Sequence, residues 1–323
     1  MALRPARCVA AFLLLLVTAN AGRNLRQIDD LELLRRPPTI DGVAWSSSGM
    51  LGVWQAGVMH ALLRAGVLDW GSDPGMNYAG TGEGAIVAIS GIAGHNPQRT
   101  RTAFEASMQT AVNEARACRR SNGTNCDALS GKYEAFITRV LNTLIRETTA
   151  GAANSTMTVH LSLVPAATES RPLTAPACNS LSVEANATSV FFNRTDVISA
   201  LLASTHYPAF SSPNCTRTFR GHQYKNGALT LPMPCPAGSN SCLRISAVPP
   251  SVARRLGWGI TDANALQPDI FPGSSGAPLP IPESQWSNAM WDPEAVLPVV
   301  NALYSLGFTD GRSWARDNFF VLS

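Results

Sequence analysis

The sequence predicts an α/β domain with a largely parallel sheet. Two observations carry that prediction. Gly42 to Gly94 reads as two consecutive strand–turn–helix units, and both turns are rich in glycine and small residues. Further short apolar strands then alternate with helical stretches as far as residue 306, with no internal repeat.

The 323-residue chain opens on a stretch that reads as a secretory leader over residues 1–21. Arg4 and Arg7 precede an apolar run from Cys8 to Thr18, and Ala19-Asn20-Ala21 offers a small-residue cleavage site. The run is shorter than the ~20 residues a membrane span needs, so no transmembrane segment is expected. Residues 22–323 are expected to form a single domain with a substantial core. The chain carries +3 overall, and losing Arg4 and Arg7 lowers that to +1. With no basic tract or stripe, nucleic-acid binding has no support, and the same holds for electrostatic membrane binding.

Leu25, Ile28, Leu31 and Leu34 space an amphipathic lead-in helix that Pro37-Pro38 stops. Gly42 to Trp45 reads as a buried strand, Ser46 to Gly49 as a turn, and Gly52 to Ala65 as a helix ended by Gly66. Met76 to Thr81 is the next strand and Glu83 to Ile92 its helix, closed by Gly94, with Glu83 suited to the helix dipole. Helices follow at Pro97 to Ala117 and Tyr133 to Arg146, and strands at Met157 to Leu163 and Ser189 to Phe192. Thr195 or Asp196 is expected to cap a helix through Ala203. Arg217 to Tyr224 reads as extended, Leu243 to Val248 as the last strand, and 249–293 as a long Pro/Gly-rich connection. Asp292-Pro293 opens a final helix expected to end at Gly307, with a short terminal helix from Thr309-Asp310.

Beyond the leader lie six cysteines, Cys118, Cys126, Cys178, Cys215, Cys235 and Cys242. An even number in an exported chain points to disulfides. Of the 15 connectivities six cysteines allow, local pairing favours Cys118–Cys126 and Cys235–Cys242, leaving Cys178–Cys215. No Cys/His spacing suits a metal, and no cofactor is expected. N-x-T sequons stand at Asn122, Asn154, Asn186, Asn193 and Asn214, which together suggest glycosylation along a secretory route, ending outside the cell or in an internal lumen.

The turn Gly80-Thr81-Gly82-Glu83-Gly84 has the frame of a nucleophile elbow, G-x-S-x-G, with glycine in place of serine. Upstream, Ser47-Ser48-Gly49-Met50-Leu51-Gly52 precedes Gly57-Val58-Met59-His60-Ala61-Leu62; downstream come Ala203-Ser204 with Pro208 and Phe210, then Asn226-Gly227-Ala228 with Pro234. In this order the segments resemble the patatin-like phospholipase family over roughly residues 42–234: its G-G-G-x-R-G oxyanion loop, its G-x-S-x-G-A elbow, its A-S-x-x-x-P segment and its D-G-G or D-G-A turn. The resemblance implies a three-layer α/β/α fold and descent from a Ser–Asp dyad enzyme that hydrolyses lipid esters.

Against that pattern the nucleophile position is Gly82, the aspartate position is Asn226, two loop glycines are Ser47 and Ser48, and the loop arginine is Leu51, while Gly49 and Gly52 remain. Glycine has no hydroxyl, and an amide is no base near neutral pH. The expectation is a secreted glycoprotein without ester hydrolysis, whose remnant cleft takes a lipid, a fatty acid or a partner. The alternatives are a hydrolase using Ser47 or Ser48, and a storage or structural glycoprotein. His206 and His222 lie in segments that the resemblance brings toward the site; Trp45, Trp54 and Trp70 read first as core.

Overall fold

The computed structural model describes residues 40–68, 76–121, 123–124, 126–154, 156–165, 178, 181–208, 210–256 and 267–319. The expected leader and lead-in helix, Trp70 and Asn122 fall outside these residues. Backbone contacts divide the chain into two units, residues 1–38 with 316–323, and residues 39–315. Every strand of the sheet lies in the second.

Seven strands form one mixed sheet: β1 (Gly42–Trp45), β2 (Asn77–Thr81), β3 (Met157–Val164), β4 (Glu184–Thr188), β5 (Arg217–Phe219), β6 (His222–Lys225) and β7 (Cys242–Ile245). β7, at one edge of the sheet, and β1, β2 and β3 beside it are parallel neighbours in that order. All four positions of β1 are buried, which accounts for its unbroken apolar run.

Helices flank the sheet: α1 (Gly52–Arg64), α2 (Gly82–Ile92), α3 (Pro97–Arg120), α4 (Tyr133–Leu144), α5 (Thr149–Ala153), α6 (Arg194–Ser204), α7 (Pro250–Arg255), α8 (Trp286–Ala289), α9 (Pro293–Val296) and α10 (Val300–Phe319). α2 is buried on every side, as its almost wholly apolar and small composition requires. α3 buries only one stripe, including Phe104, Met108 and Val112, and turns its arginines and glutamates outward. α1 ends at Gly66, whose φ of 67° is the left-handed geometry expected there.

The strand pairing brings two distant segments together. β4 covers one edge of β3 from Val159 to Leu163. The other edge is therefore shared: parallel β2 pairs as far as Thr81↔His160, and antiparallel β6 begins at Ser162↔Lys225. The C-terminal ends of β2 and β6 thus meet head to head over Leu161. The residues that leave those ends are Gly82 and Asn226.

Four local expectations are corrected. Strand β4 covers Glu184–Thr188, and residues 189–192 lie outside it, because pairing to β3 ends at Thr188. Asn193, rather than Thr195 or Asp196, caps α6: its side chain accepts from the N–H of Asp196. Gly307 ends nothing. α10 runs through it to Phe319, since a Cβ at Gly307 would lie 2.0 Å from the Trp54 carbonyl oxygen, so the missing side chain lets α10 lie directly on α1. The final helical stretch is also broken before α10, with α9 and a 3₁₀ turn at Leu297–Val299 standing ahead of it.

The disulfides are Cys118–Cys126, Cys178–Cys215 and Cys235–Cys242, the pairing that local spacing favours. Among the described residues no helix is long and apolar enough to cross a membrane, and no cluster of His, Cys, Asp and Glu could hold a metal.

Candidate functional site

The site lies where β1 and β2 end and the turns after them face each other. Gly82 is the first residue of α2 and takes a φ of +54°, the left-handed conformation of a strand-to-helix elbow. A residue with a Cβ is strained there by about 1–3 kcal/mol. Space forbids a side chain as well. A Cβ built on Gly82 would lie 2.4 Å from Ser47 Oγ, 3.0 Å from Ser47 Cβ and 3.2 Å from Asn226 Nδ2. The volume a serine would need is already filled by the loop opposite and by the head-on strand end.

The elbow is held from three directions. The Gly82 N–H donates to Ser204 Oγ (2.8 Å), which in turn donates to the His160 carbonyl (2.6 Å). Thr81 Oγ1 accepts from the Ser47 N–H (3.1 Å) and donates to the Pro232 carbonyl (3.1 Å). Asn226 receives its place from the backbone: its N–H donates to the His206 carbonyl (2.7 Å), and its Oδ1 accepts from the Ala228 N–H (2.8 Å). Its Nδ2 is buried and has no partner among the described residues, and the same is true of Ser48 Oγ.

Glu83 is the residue the sequence undervalued. Its wholly buried carboxylate turns back onto the Ser47–Gly49 loop instead of staying with its own helix. Oε2 accepts from the Ser48 N–H (3.0 Å), the Gly49 N–H (2.8 Å) and Ser47 Oγ (2.7 Å); Oε1 accepts from Tyr133 Oη (2.5 Å). Four donors converge on it, so the loop's N–H groups are directed at a negative charge that belongs to the chain itself. Tyr207 Oη completes the cluster 3.4 Å from Ser47 Oγ.

Each backbone donor of the loop has an acceptor. Ser47 N–H goes to Thr81, Ser48 and Gly49 to Glu83, Met50 to the Met290 carbonyl, Leu51 to that of Ser48 and Gly52 to that of Gly49. Three loop N–H groups thus face the elbow, that of Ser47 toward Thr81 and those of Ser48 and Gly49 toward Glu83, and all three are occupied. Burial, reinforced by the Glu83 charge, drives the Tyr133 hydroxyl well above its ordinary pKa. The same two causes act on Tyr207 in the same order. Both phenols therefore stay protonated and act as hydroxyls, not as charged groups.

Beyond Tyr207 opens a mainly apolar cavity of about 530 Å³, bounded by Tyr207, Phe210, Leu229, Leu256 and Trp291, with Pro208 and Lys225 completing its lining. Trp291 packs edge-on against Tyr207 and Phe210, with ring centres 4.5 and 5.3 Å away. Lys225 is buried; its Nζ donates to the carbonyls of Cys178 (2.6 Å) and Leu181 (3.3 Å), and desolvation lowers its pKa. Leu229 and Leu256 are partly exposed, marking the side on which the cavity meets solvent.

The remaining candidates fall elsewhere. The His206 backbone approaches the site, but its imidazole Nε2 turns to the Asn214 carbonyl (3.2 Å). His222 is exposed at the start of β6. Trp45 and Trp54 are fully buried core residues, the latter donating to Asp310 (3.0 Å). Tyr133 and Tyr207 carry no mark in their spacing, and Ser204, noted only as part of the Ala203-Ser204 segment, gave no sign of its bond to the Gly82 N–H. Glu83 carried one signal, an acid directly after the vacant position and opposite a run of hydroxyls.

No protein-family model matches the chain, and no curated protein matches it.

Proposed function

We propose that the chain is a retired patatin-type lipid acyl hydrolase, exported as a disulfide-bonded glycoprotein, which no longer cleaves esters and retains a lipid or fatty acid in the cavity beside the old site. The observation that carries this reading is the Glu83 carboxylate on the N–H groups of Ser48 and Gly49. In an acyl hydrolase such donors must be free to receive the oxygen on which negative charge develops. Here they already hold a tethered anion. Gly82 brings no hydroxyl, and Asn226 no base. Losing a nucleophile from such a unit costs on the order of 10⁶-fold in turnover, and the aspartate's loss falls on the same unit, so the two do not add.

One observation favours a second reading. Ser47 Oγ occupies the space in front of Gly82 and donates to Glu83 Oε2 at 2.7 Å, a hydroxyl–carboxylate pair in the place of the lost dyad. Ser48 Oγ has no such partner among the described residues and drops out as a nucleophile. Ser47 is itself fully buried, and the loop donors it would need are taken. The first reading is therefore preferred.

Retention of lipid rests on the apolar lining and on a buried cation at the wall, chemistry suited to an acyl chain with an anionic head. Extraction of purified protein and titration with a long-chain fatty acid tests it, with Leu256→Arg as the control that blocks the cavity. A storage or structural role predicts no uptake by either form.

A further inference from the structure

Phe192 is the most exposed large apolar side chain among the described residues, at 74%, and Val190 beside it is 54% exposed. Neither is loosely held. The Arg220 guanidinium lies 4.6 Å from the centre of the Phe192 ring and donates to the Val190 carbonyl (2.7 Å), to Thr188 Oγ1 (3.3 Å) and to both carboxylate oxygens of Asp196. The Phe192 N–H is tied to Asp196 as well (3.1 Å). The result is a fixed aromatic face turned to water, with the Val190 side chain beside it.

The next residue is Asn193, first of the Asn193-Arg194-Thr195 sequon. Its side-chain amide is divided between two tasks. Oδ1 caps α6 by accepting from the Asp196 N–H at 3.0 Å, whereas Nδ2 has no partner among the described residues and the residue is exposed. Glycosylation consumes Nδ2 and leaves Oδ1 untouched, so cap and modification are compatible here.

Asn154, in a second sequon, presents the opposite case. Its Oδ1 accepts from the Phe191 N–H (2.6 Å) and its Nδ2 donates to the Phe191 carbonyl (3.0 Å), a two-bond bracket fixing the chain just before Phe192. A sugar on that Nδ2 would break into the bracket.

We infer that Asn193 carries an N-linked glycan whose first sugar covers Phe192 and Val190, and that Asn154 stays unmodified as a structural bracket. The transfer takes the oligosaccharide from a polyprenyl diphosphate donor. The anomeric C–O bond to the diphosphate breaks, a C–N bond forms to Nδ2, and the amide proton leaves with the polyprenyl diphosphate. An apolar face of the first sugar can lie on the ring face that Arg220 leaves free, with its hydroxyls outward. This inference does not depend on the state of the Gly82 site.

The test uses the full chain secreted from a host that performs N-glycosylation. Site occupancy is read by peptide mass spectrometry after enzymatic deglycosylation in heavy-oxygen water. Thr195→Ala removes the sequon while keeping the Asn193 cap, so it separates the glycan from the helix. The expected result is a modified Asn193, an unmodified Asn154, and for Thr195→Ala the loss of one glycan with a shift toward self-association and dye binding. Phe192→Ser added to Thr195→Ala should return the protein to the parent's state of association. An unmodified Asn193, a modified Asn154, or a Thr195→Ala protein that associates no more and binds no more dye than the parent overturns the inference.

Discussion

Glu83 Oε2 lies 2.8 Å from the backbone nitrogen of Gly49, and the two residues belong to the turns that follow neighbouring strands of one sheet. The contact joins the elbow to the loop opposite it, and the same oxygen holds the Ser48 N–H and the Ser47 hydroxyl. A carboxylate so placed acts as an internal ligand.

Removing that ligand should be expensive. Glu83→Ala leaves the N–H groups of Ser48 and Gly49 and the Tyr133 hydroxyl without a partner in a buried site. We expect a loss of about 2–4 kcal/mol, the range for orphaned donors around a deleted charged acceptor. Urea unfolding of parent and variant measures it; an unchanged midpoint would mean that water replaces the carboxylate freely.

Gly82→Ser places a serine at the centre of the elbow and should destabilise the fold. The new side chain meets Ser47 Oγ and sits on a backbone at φ +54°, for a combined cost of at least ~1–3 kcal/mol. Ser47→Gly in the same chain removes the clash and should recover part of the loss, leaving the backbone strain. A double-mutant cycle reads the coupling. Additive effects would show that the two side chains do not compete for space.

Stability should fall on mild acidification. Burial holds the His160 imidazole down at about 4, against an ordinary 6.5. Between those values the unfolded chain binds a proton that the folded chain refuses, so the stability contribution is complete above pH 6.5 and is lost as pH falls toward 4. The change over the interval is about 3 kcal/mol for this group. His206, also lowered mainly by burial, acts with the same sign. Unfolding midpoints at pH 7 and pH 4.5 should lie closer together in His160→Gln than in the parent; equal spacing would remove His160 as a cause.

Among the disulfides, Cys178–Cys215 should matter most. It closes a separation of 37 residues, against 8 and 7 for the other two. Loop-closure entropy then gives about 4 kcal/mol for the long loop and about 2.5 for each short one. Paired Cys→Ser variants compared by thermal unfolding rank them, and a larger loss from either local bridge would contradict the entropic argument.

The sequence made the central frame legible because strands β1, β2 and β3 and the helices after the first two carry their periodicity and glycine stops in the open. Its errors share a physical origin. Residues 189–192 look apolar enough for a strand, yet pairing to β3 stops at Thr188, and pairing is a property of the partner. Gly307 has the composition of a helix end, and only the backbone of α1 against it explains why it is internal. The approach of Asn226 to Gly82 follows from two strands sharing one edge of β3, a register that no local pattern encodes. Glu83 reads in sequence as a favourable first-turn acid because its helix is visible there, whereas the loop it reaches back to is near it only in space.

Ester cleavage at this site would need the Ser48 and Gly49 donors that Glu83 holds. The decisive measurement is hydrolysis of a short-chain ester and of phospholipid by the purified protein, with Ser47→Ala alongside. No turnover above the uncatalysed rate is expected for either protein. Turnover by the parent that Ser47→Ala abolishes would contradict that expectation and make Ser47 the nucleophile.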